Sequence, residues 1–314
     1  MNLVQNARPR VSIGLPVFNG ERYLEKALDS ILGQTFTNFE IVISDNASTD
    51  RTEEICRMFM ERDARIHYFR NDRNLGAAPN FNRVFELSTG EFFKWHAYDD
   101  LIMPTFISRC IEELDQNPAA VLCFPRVTLI DDHGEPIGDY DPEPDTSSPE
   151  PHVRFRNLVL RHGLFIQTYG LIRADVLGKT GCHRSFPSSD EVFLAELGLR
   201  GQFHQIPDRL LCLRIHNEQS TKGVLRVERA RTLWFDSSLK GKIFLPKWAY
   251  FFACLQVVKA APLNHAQRLY CYVQVMRWLL VPAHLRAMGK DMLLAASQLV
   301  VQLTSNPTLK IQRG

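Results

Sequence analysis

The sequence predicts an α/β protein: an open, mostly parallel sheet flanked by helices, followed by a helical C-terminal region. Two observations carry this. Strand-like and helix-like stretches alternate from residue 11 to residue 124, the signature of parallel strands joined by crossover helices. Strand alternation then lapses at about residue 222, and only helical spacing persists beyond it.

The elements follow in order. Residues 11–17, VSIGLPV, form a short apolar run with β-branched residues and read as a buried strand. Leu24, Leu28, Ile31 and Leu32 recur at helical spacing within 21–33. Residues 40–44 are a second strand. A helix runs from Asp50 to Met60, with Asp50 as N-cap and Glu53 as its capping-box partner. Residues 65–69 are a third strand, 80–87 a helix and 91–95 a fourth strand. A helix over 105–116 and a strand over 120–124 follow. The pattern loosens at about 131–152, where DDHGEPIGDYDPEPDTSSPEP is acidic and rich in Pro and reads as a loop or lid dividing the sheet-forming region in two. Helices over 153–161 and 190–200 bracket a strand at 169–173. The tail reads as helices broken near Pro246, Pro262 and Pro282. The expected domains are 1–221 and 222–314.

Composition bounds the function. The chain has 314 residues, 45% apolar and 23% charged, which excludes a disordered chain, a collagen and a small disulfide scaffold. Seven cysteines with no Cys-x-x-Cys pair suit a reducing compartment. The opening MNLVQNARPR lacks the apolar core of a signal peptide, so the expected location is cytoplasmic. Residues 221–314 hold 14 Lys and Arg against 3 Asp and Glu, an excess of +11. The rest holds 23 against 32, or −9.

In open parallel sheets ligands bind beyond the carboxyl ends of the strands. Four such ends carry polar groups: Pro16 to Asn19, Asp45 to Asp50, Asn71 to Gly76, and His96 to Asp100. Each alone can be a helix cap; together on one rim they suggest a polar ligand. No Gly-x-Gly-x-x-Gly follows the first strand and no Gly-x-x-x-x-Gly-Lys-[Ser/Thr] occurs. A dinucleotide-binding domain and a P-loop enzyme are therefore disfavoured. Adjacent carboxylates such as Asp99 and Asp100 can hold a hard divalent cation that neutralises a diphosphate. The bland reading of the pair is a solvated loop capping the next helix.

Several runs resemble the family 2 glycosyltransferases of GT-A (Rossmann-like) fold. They are Pro16, Phe18, Asn19 and Leu24; Ser30 to Thr35; Asp45, Asn46, Ser48 and Asp50; Asn74 and Gly76; Gly90 to Phe92 before Asp99-Asp100. The resemblance spans about residues 10–220. It implies an inverting, nucleotide-sugar-dependent transferase of the bacterial glycan-assembly type. By that resemblance Pro16, Phe18, Asn19 and Glu21 surround the nucleotide base and ribose, and Asp45 accepts from the base ring N–H. An Asp there suits uracil or thymine, hence a UDP- or dTDP-linked donor. Asn74 and Asn82 line the diphosphate side, and Asp99 faces the ribose or sugar. Asp100 holds the metal, Mg²⁺ or Mn²⁺, although Ala97 or Tyr98 stands where the family's motif has its first Asp. SSDEVFLAELGLRG at 188–201 resembles the segment that carries the general base. Asp190 takes that place, Ser189 replaces the usual Glu, and Glu191 is a neighbour that could be mistaken for the base. The other reading of Asp190 is an N-cap. LRIHNEQST at 213–221 places His216 near the diphosphate or metal, or as a structural His.

The implied partners are a nucleotide-sugar donor and a glycan or lipid-linked acceptor, without nucleic acid. A nucleotidyltransferase and a non-catalytic nucleotide-sugar-binding protein are the alternatives. The apolar stretch between Lys247 and Lys259 has 11 residues, where a span needs about 20. The basic tail is therefore expected to lie on the inner face of an anionic membrane, with Trp248, Tyr250, Phe251 and Phe252 at headgroup level. Its apolar stripe would be Leu285, Met288, Met292, Leu299 and Leu303. The competing uses of the tail are a cap over the sheet or a homodimer contact.

Overall fold

The computed structural model describes residues 8–141, 145–160, 163–217, 219 and 228–305. β1 (Val11–Val17), β2 (Phe39–Asp45), β3 (Ile66–Arg70) and β4 (Phe92–Trp95) pair in parallel in the order β3-β2-β1-β4. β1 and β2 are buried along their whole length, as strands covered on both faces must be. Pro16 lacks an N–H to donate. It sits where β1 has outrun β4, whose pairing ends at Gly14 and Trp95. α1 (Leu24–Leu32), α2 (Thr52–Arg62) and α3 (Ala77–Glu86) are the crossover helices.

The second half of the sheet departs from the expected alternation. After β5 (Leu101–Ile102) and α4 (Phe106–Gln116), β6 runs from Ala120 to Ile130, far beyond the expected 120–124. β7 (Pro136–Tyr140) pairs antiparallel with it. The acidic insertion therefore adds a strand to the sheet and does not split it. Next come α5 (Pro151–Val159), a 3₁₀ turn at Ile166–Tyr169, β8 (Leu171–Arg173), α6 (Ala174–Leu177) and α7 (Ser189–Gly198). β8 lies antiparallel between β4 and β6. β9 (Gln202–Arg214) pairs parallel with β6 along its length and antiparallel with β5. The described residues form one nine-stranded sheet in the order β3-β2-β1-β4-β8-β6-β9-β5, with β7 on β6.

The tail is helical as expected: α8 (Glu228–Phe235), α9 (Pro246–Ala260), α10 (His265–Leu279) and α11 (Pro282–Ser305). Pro246 and Pro282 occupy first helical positions, where the missing N–H costs nothing. Asn264 and Gln267 form a reciprocal capping box at the start of α10. α9 and α10 pack on α5 and α7, and Tyr250, Val257, Cys271, Val275 and Trp278 join the same apolar core as the strands. The expected boundary at 221/222 lies outside the described residues. So does the side chain of Leu303.

Two expectations about the tail are corrected. Tyr250 and Phe251 are buried, Tyr250 stacking on Trp278 at 4.6 Å between centroids, while Phe252 faces solvent. The four aromatics are not one surface cluster, because α9 is wedged between α7, α10 and α11 and buries most of its circumference. Met288 is buried, whereas Leu285, Met292 and Leu299 are exposed.

Candidate functional site

The carboxyl ends of β1, β2 and β3 are knitted together by their own side chains. Asn19 Oδ1 accepts from Thr49 N (2.8 Å), and its N–H donates to Ser48 Oγ (2.9 Å). Glu21 accepts from Arg51 N (3.0 Å), and Asp50 accepts from Glu21 N (3.0 Å) and Thr52 N (3.0 Å). Asp50 thus serves the start of α2 without being its N-cap. Glu53 bonds Arg57 at 2.7 Å and forms no capping box. Phe18 projects from this rim into solvent, and Pro16 is buried beneath it.

Asp45 is wholly buried. Oδ1 accepts from Ser48 N (2.8 Å), and Oδ2 accepts from Tyr68 Oη (2.7 Å) and Arg70 Nη1 (2.6 Å). Arg70 also donates to Ser48 O (2.8 Å), so its guanidinium lies over the carboxylate.

Asn74 belongs to an amide chain. Asn46 donates to Asn74 Oδ1 (2.9 Å) and accepts from Asn71 Nδ2 (3.1 Å) and Leu75 N (2.9 Å). Asn71 in turn donates to Asn80 (3.0 Å). Asn82 clamps the backbone of His183, donating to its O (2.8 Å) and accepting from its N (3.0 Å). It fixes the approach to α7.

The Asp99-Asp100 pair is split by burial. Asp99 keeps its side chain 17% exposed, and its Oδ2 lies 2.9 Å from His216 Nε2. Asp100 is buried, with Oδ1 accepting from Arg214 N at 2.9 Å. Desolvation, then the charge of Asp99, pushes the Asp100 carboxyl well above its usual range. Asp100, expected to hold the metal, is thus the buried member of the pair, and Asp99, expected to face the ribose or sugar, is the more exposed one. Asp99 is the partly exposed member and holds the buried His216, while Asp100 anchors β9. Among the described residues no three Asp, Glu, His or Cys side chains group around one point. Mg²⁺ and Mn²⁺ sites in nucleotide enzymes commonly use one or two protein ligands plus substrate phosphates. Asp99 Oδ2 and the adjoining His216 Nε2 are ligand types that such a site accepts.

Arg214, at the end of β9, organises this corner. Its Nε donates to Asp99 O (2.8 Å), its Nη1 to Asp131 O (2.7 Å) and Asp132 O (3.1 Å), and its guanidinium lies 4.7 Å from the Tyr23 ring centroid. Tyr23 Oη donates to Asp132 Oδ1 (2.7 Å), so the start of the 131–152 insertion is tied to the site.

Asp190 lies in the first turn of α7, behind the N-cap Ser188, whose φ is +67°. Asp190 is not the N-cap. Burial pushes its carboxyl up, although Arg231 of α8 opposes this. The Tyr169 phenol is held protonated by desolvation and then by the charges of Asp100, Asp99 and Asp190. Glu191 lines a cavity of about 250 Å³ with Lys247, Tyr250, Trp278 and His284. Desolvation there, and next the charge of Asp190, pushes Glu191 up to about 7.

Sequence reasoning missed Tyr23, Tyr169, Arg214 and Lys94. Lys94 is buried in β4 and donates to Trp95 O (2.9 Å) and Tyr169 O (2.8 Å); desolvation lowers it to about 7. A lysine inside an otherwise apolar strand, FFKW, was the available signal.

Comparisons with known proteins identify the family and the fold. Residues 12–180 match the profile described as Glycosyl transferase family 2. An uncharacterized glycosyltransferase of Methanocaldococcus jannaschii is 29% identical over 138 residues, which is 43% of this chain and 48% of that protein. The chain thus spans about half the length of that relative. The fold is similar to TarS 1–349 of S. aureus in complex with UDP-GlcNAc, with a TM-score of 0.63, 15% identity, and coverage of 86% of this chain and 72% of that one. It is also similar to a mannosyltransferase of Pyrobaculum calidifontis in complex with GDP-Man and Mn²⁺. There the TM-score is 0.50 at 18% identity, with 93% and 87% covered.

Proposed function

From the premise that the chain belongs to glycosyl transferase family 2, we propose that it moves a sugar from a nucleoside-diphosphate sugar to a hydroxyl of a glycan or lipid-linked acceptor, with inversion. The observation that supports the reading is the polar rim at the carboxyl ends of β1, β2 and β3, built by Asn19, Asp45, Ser48 and Asn74, together with the Asp99–His216 contact at 2.9 Å. One side of such a site must face the diphosphate and the other must take a proton.

Asp190 accepts the acceptor hydroxyl's proton as the new bond forms, a role worth roughly 10²–10⁴-fold. With the base opposite the leaving group, displacement is in line and the anomeric centre inverts, as in inverting glycosidases with water replaced by the acceptor. Asp99 and His216 would hold a divalent cation, which supplies charge neutralisation to the departing diphosphate. Arg214 positions the Asp99 backbone and keeps a buried positive charge beside it. Asp45 accepts from the N3–H of uracil or thymine, which makes UDP- and dTDP-sugars the expected donors. The free cysteines fit a reducing cytoplasm.

The test is a panel of nucleotide sugars with Mn²⁺ and glycan acceptors, following nucleoside diphosphate release. Diphosphate should appear with a UDP- or dTDP-sugar, and Asp99→Ala should abolish it. Pyrophosphate in its place would mean nucleotidyl transfer. Full turnover in Asp99→Ala, or in excess chelator, would remove the cation from the scheme.

A further inference from the structure

The outward face of α10 is apolar. Ala266, Leu269, Val273, Met276 and Leu280 recur at helical spacing and are exposed, Leu269 at 66% and Leu280 at 64%. The inward face, Cys271, Gln274, Val275 and Trp278, is buried against the molecule. Val281, and Leu285 and Met292 of α11, are exposed as well. Beyond Asp291 no described residue of α11 up to Val300 is buried, and Leu293, Leu294, Leu299 and Val300 are exposed. A monomer in water rarely leaves so long an apolar run uncovered.

Charge identifies what covers it. From Pro246 to Val300 the chain carries six basic residues, Lys247, Lys259, Arg268, Arg277, Arg286 and Lys290. The one acidic residue there, Asp291, is buried and accepts from Lys247 N at 2.8 Å. Lys259, Arg277, Arg286 and Lys290 are exposed. A second copy seated on this face would set like charges against each other. An anionic bilayer offers hydrocarbon for the stripe and phosphate for the basic groups. No helix among the described residues is long and apolar enough to cross a membrane, so the contact is one that lies on the surface.

We infer that the α10–α11 face docks on an anionic lipid bilayer, with the apolar stripe in the headgroup boundary and Arg277, Arg286 and Lys290 on lipid phosphates. This goes beyond the transferase chemistry and does not depend on it. A lipid-linked acceptor would make the docking useful, because the chain would then search a surface instead of a volume.

The experiment is co-sedimentation of the full chain with phosphatidylglycerol-containing vesicles and with pure phosphatidylcholine vesicles, across a salt series. Binding should favour the anionic vesicles and fall with salt. Arg277→Gln with Arg286→Gln and Lys290→Gln should lower the partition coefficient roughly a hundredfold, at about fivefold per charge. Val273→Gln with Met276→Gln, both at exposed positions, should lower it while the far-UV circular dichroism stays unchanged. Equal binding to both vesicle types, or none at low salt, overturns the inference. So does a dimer in sedimentation velocity that Val273→Gln with Met276→Gln dissolves, since a second copy would then own the face. Diphosphate release with a soluble acceptor separates the two proposals. Turnover without vesicle binding defeats this one alone, and vesicle binding without turnover defeats the transferase reading alone.

Discussion

Asp190 and Glu191 are neighbours in sequence with different surroundings. The buried Asp190 carboxyl feels the charge of Arg231 of α8, whereas Glu191 lines the cavity against α9 and α10. Asp190→Asn should therefore lower kcat by roughly 10²–10⁴-fold with nucleotide binding near wild type, and Glu191→Gln should not. The reverse pattern, read by steady-state kinetics and thermal shift with nucleotide, would move the base by one residue. Glu191 should instead show itself in stability. Its pKa rises from 4.5 to about 7 on folding. The folded state thus binds the extra proton between those values. That stability is fully present below pH 4.5 and is lost as pH rises through 7. The loss amounts to roughly 3 kcal/mol. Glu191→Gln should flatten the pH dependence of urea unfolding over that window and stabilise the chain at pH 8. An unchanged slope would show that Glu191 ionises freely. The chain's motifs marked Asp99, Asp100, Asp190 and His216 as chemistry-bearing, but they could not rank the Asp pair. Their difference in burial appears only in the fold, because it depends on β9 arriving with the Arg214 N–H.

At the scale of elements, the strands built from contiguous apolar residues were legible to within a residue or two. β1 was read as 11–17 and β2 as 40–44, against Val11–Val17 and Phe39–Asp45. β5, β7 and β9 were not marked as strands. QFHQIPDRLLCLR carries three charged residues and a proline and alternates poorly. It is a strand because β6 and β5 flank it, and both partners are remote in sequence. β7 is almost wholly exposed, so no apolar period betrays it. The loop at Asn74–Gly76 shows how an element of the tail supports the rim. Gly76 has φ +95°, and a Cβ there would lie 2.7 Å from Asp236 Cα and from Phe235 O. Ser237, just past α8, donates from N to Leu75 O (3.2 Å) and from Oγ to Asn74 O (2.8 Å). Gly76→Ala combines a disfavoured φ with a backbone clash. It should cost roughly 1–3 kcal/mol in urea unfolding, and weaken donor binding through Asn74. A stability change below a few tenths of a kcal/mol would show that the loop and the end of α8 separate freely.

At the scale of the whole molecule, composition suggested two units of opposite charge, and the structure builds one core. The charge asymmetry is real, but it describes the outer surface of α8–α11, while their inner surfaces bury Tyr250, Cys254, Val257, Val275 and Trp278 against the catalytic part. A charge count cannot distinguish a separate domain from a cap, since exposed residues dominate it. Arg231 of α8 acts on Asp190, and α9 lines the cavity beside Glu191, so the tail also belongs to the site's electrostatics. A shared core should open as one cooperative unit. In hydrogen exchange at increasing sub-denaturing urea, the most protected amides of α9 and α10 should converge on the opening free energy and urea dependence of β1 and β4. The part of α11 beyond Asp291 buries no described residue, so in vesicle-free buffer it should exchange by local fraying, with no urea dependence. If α9 and α10 opened together at a free energy well below that of β1, the tail would be an independent domain resting on the sheet.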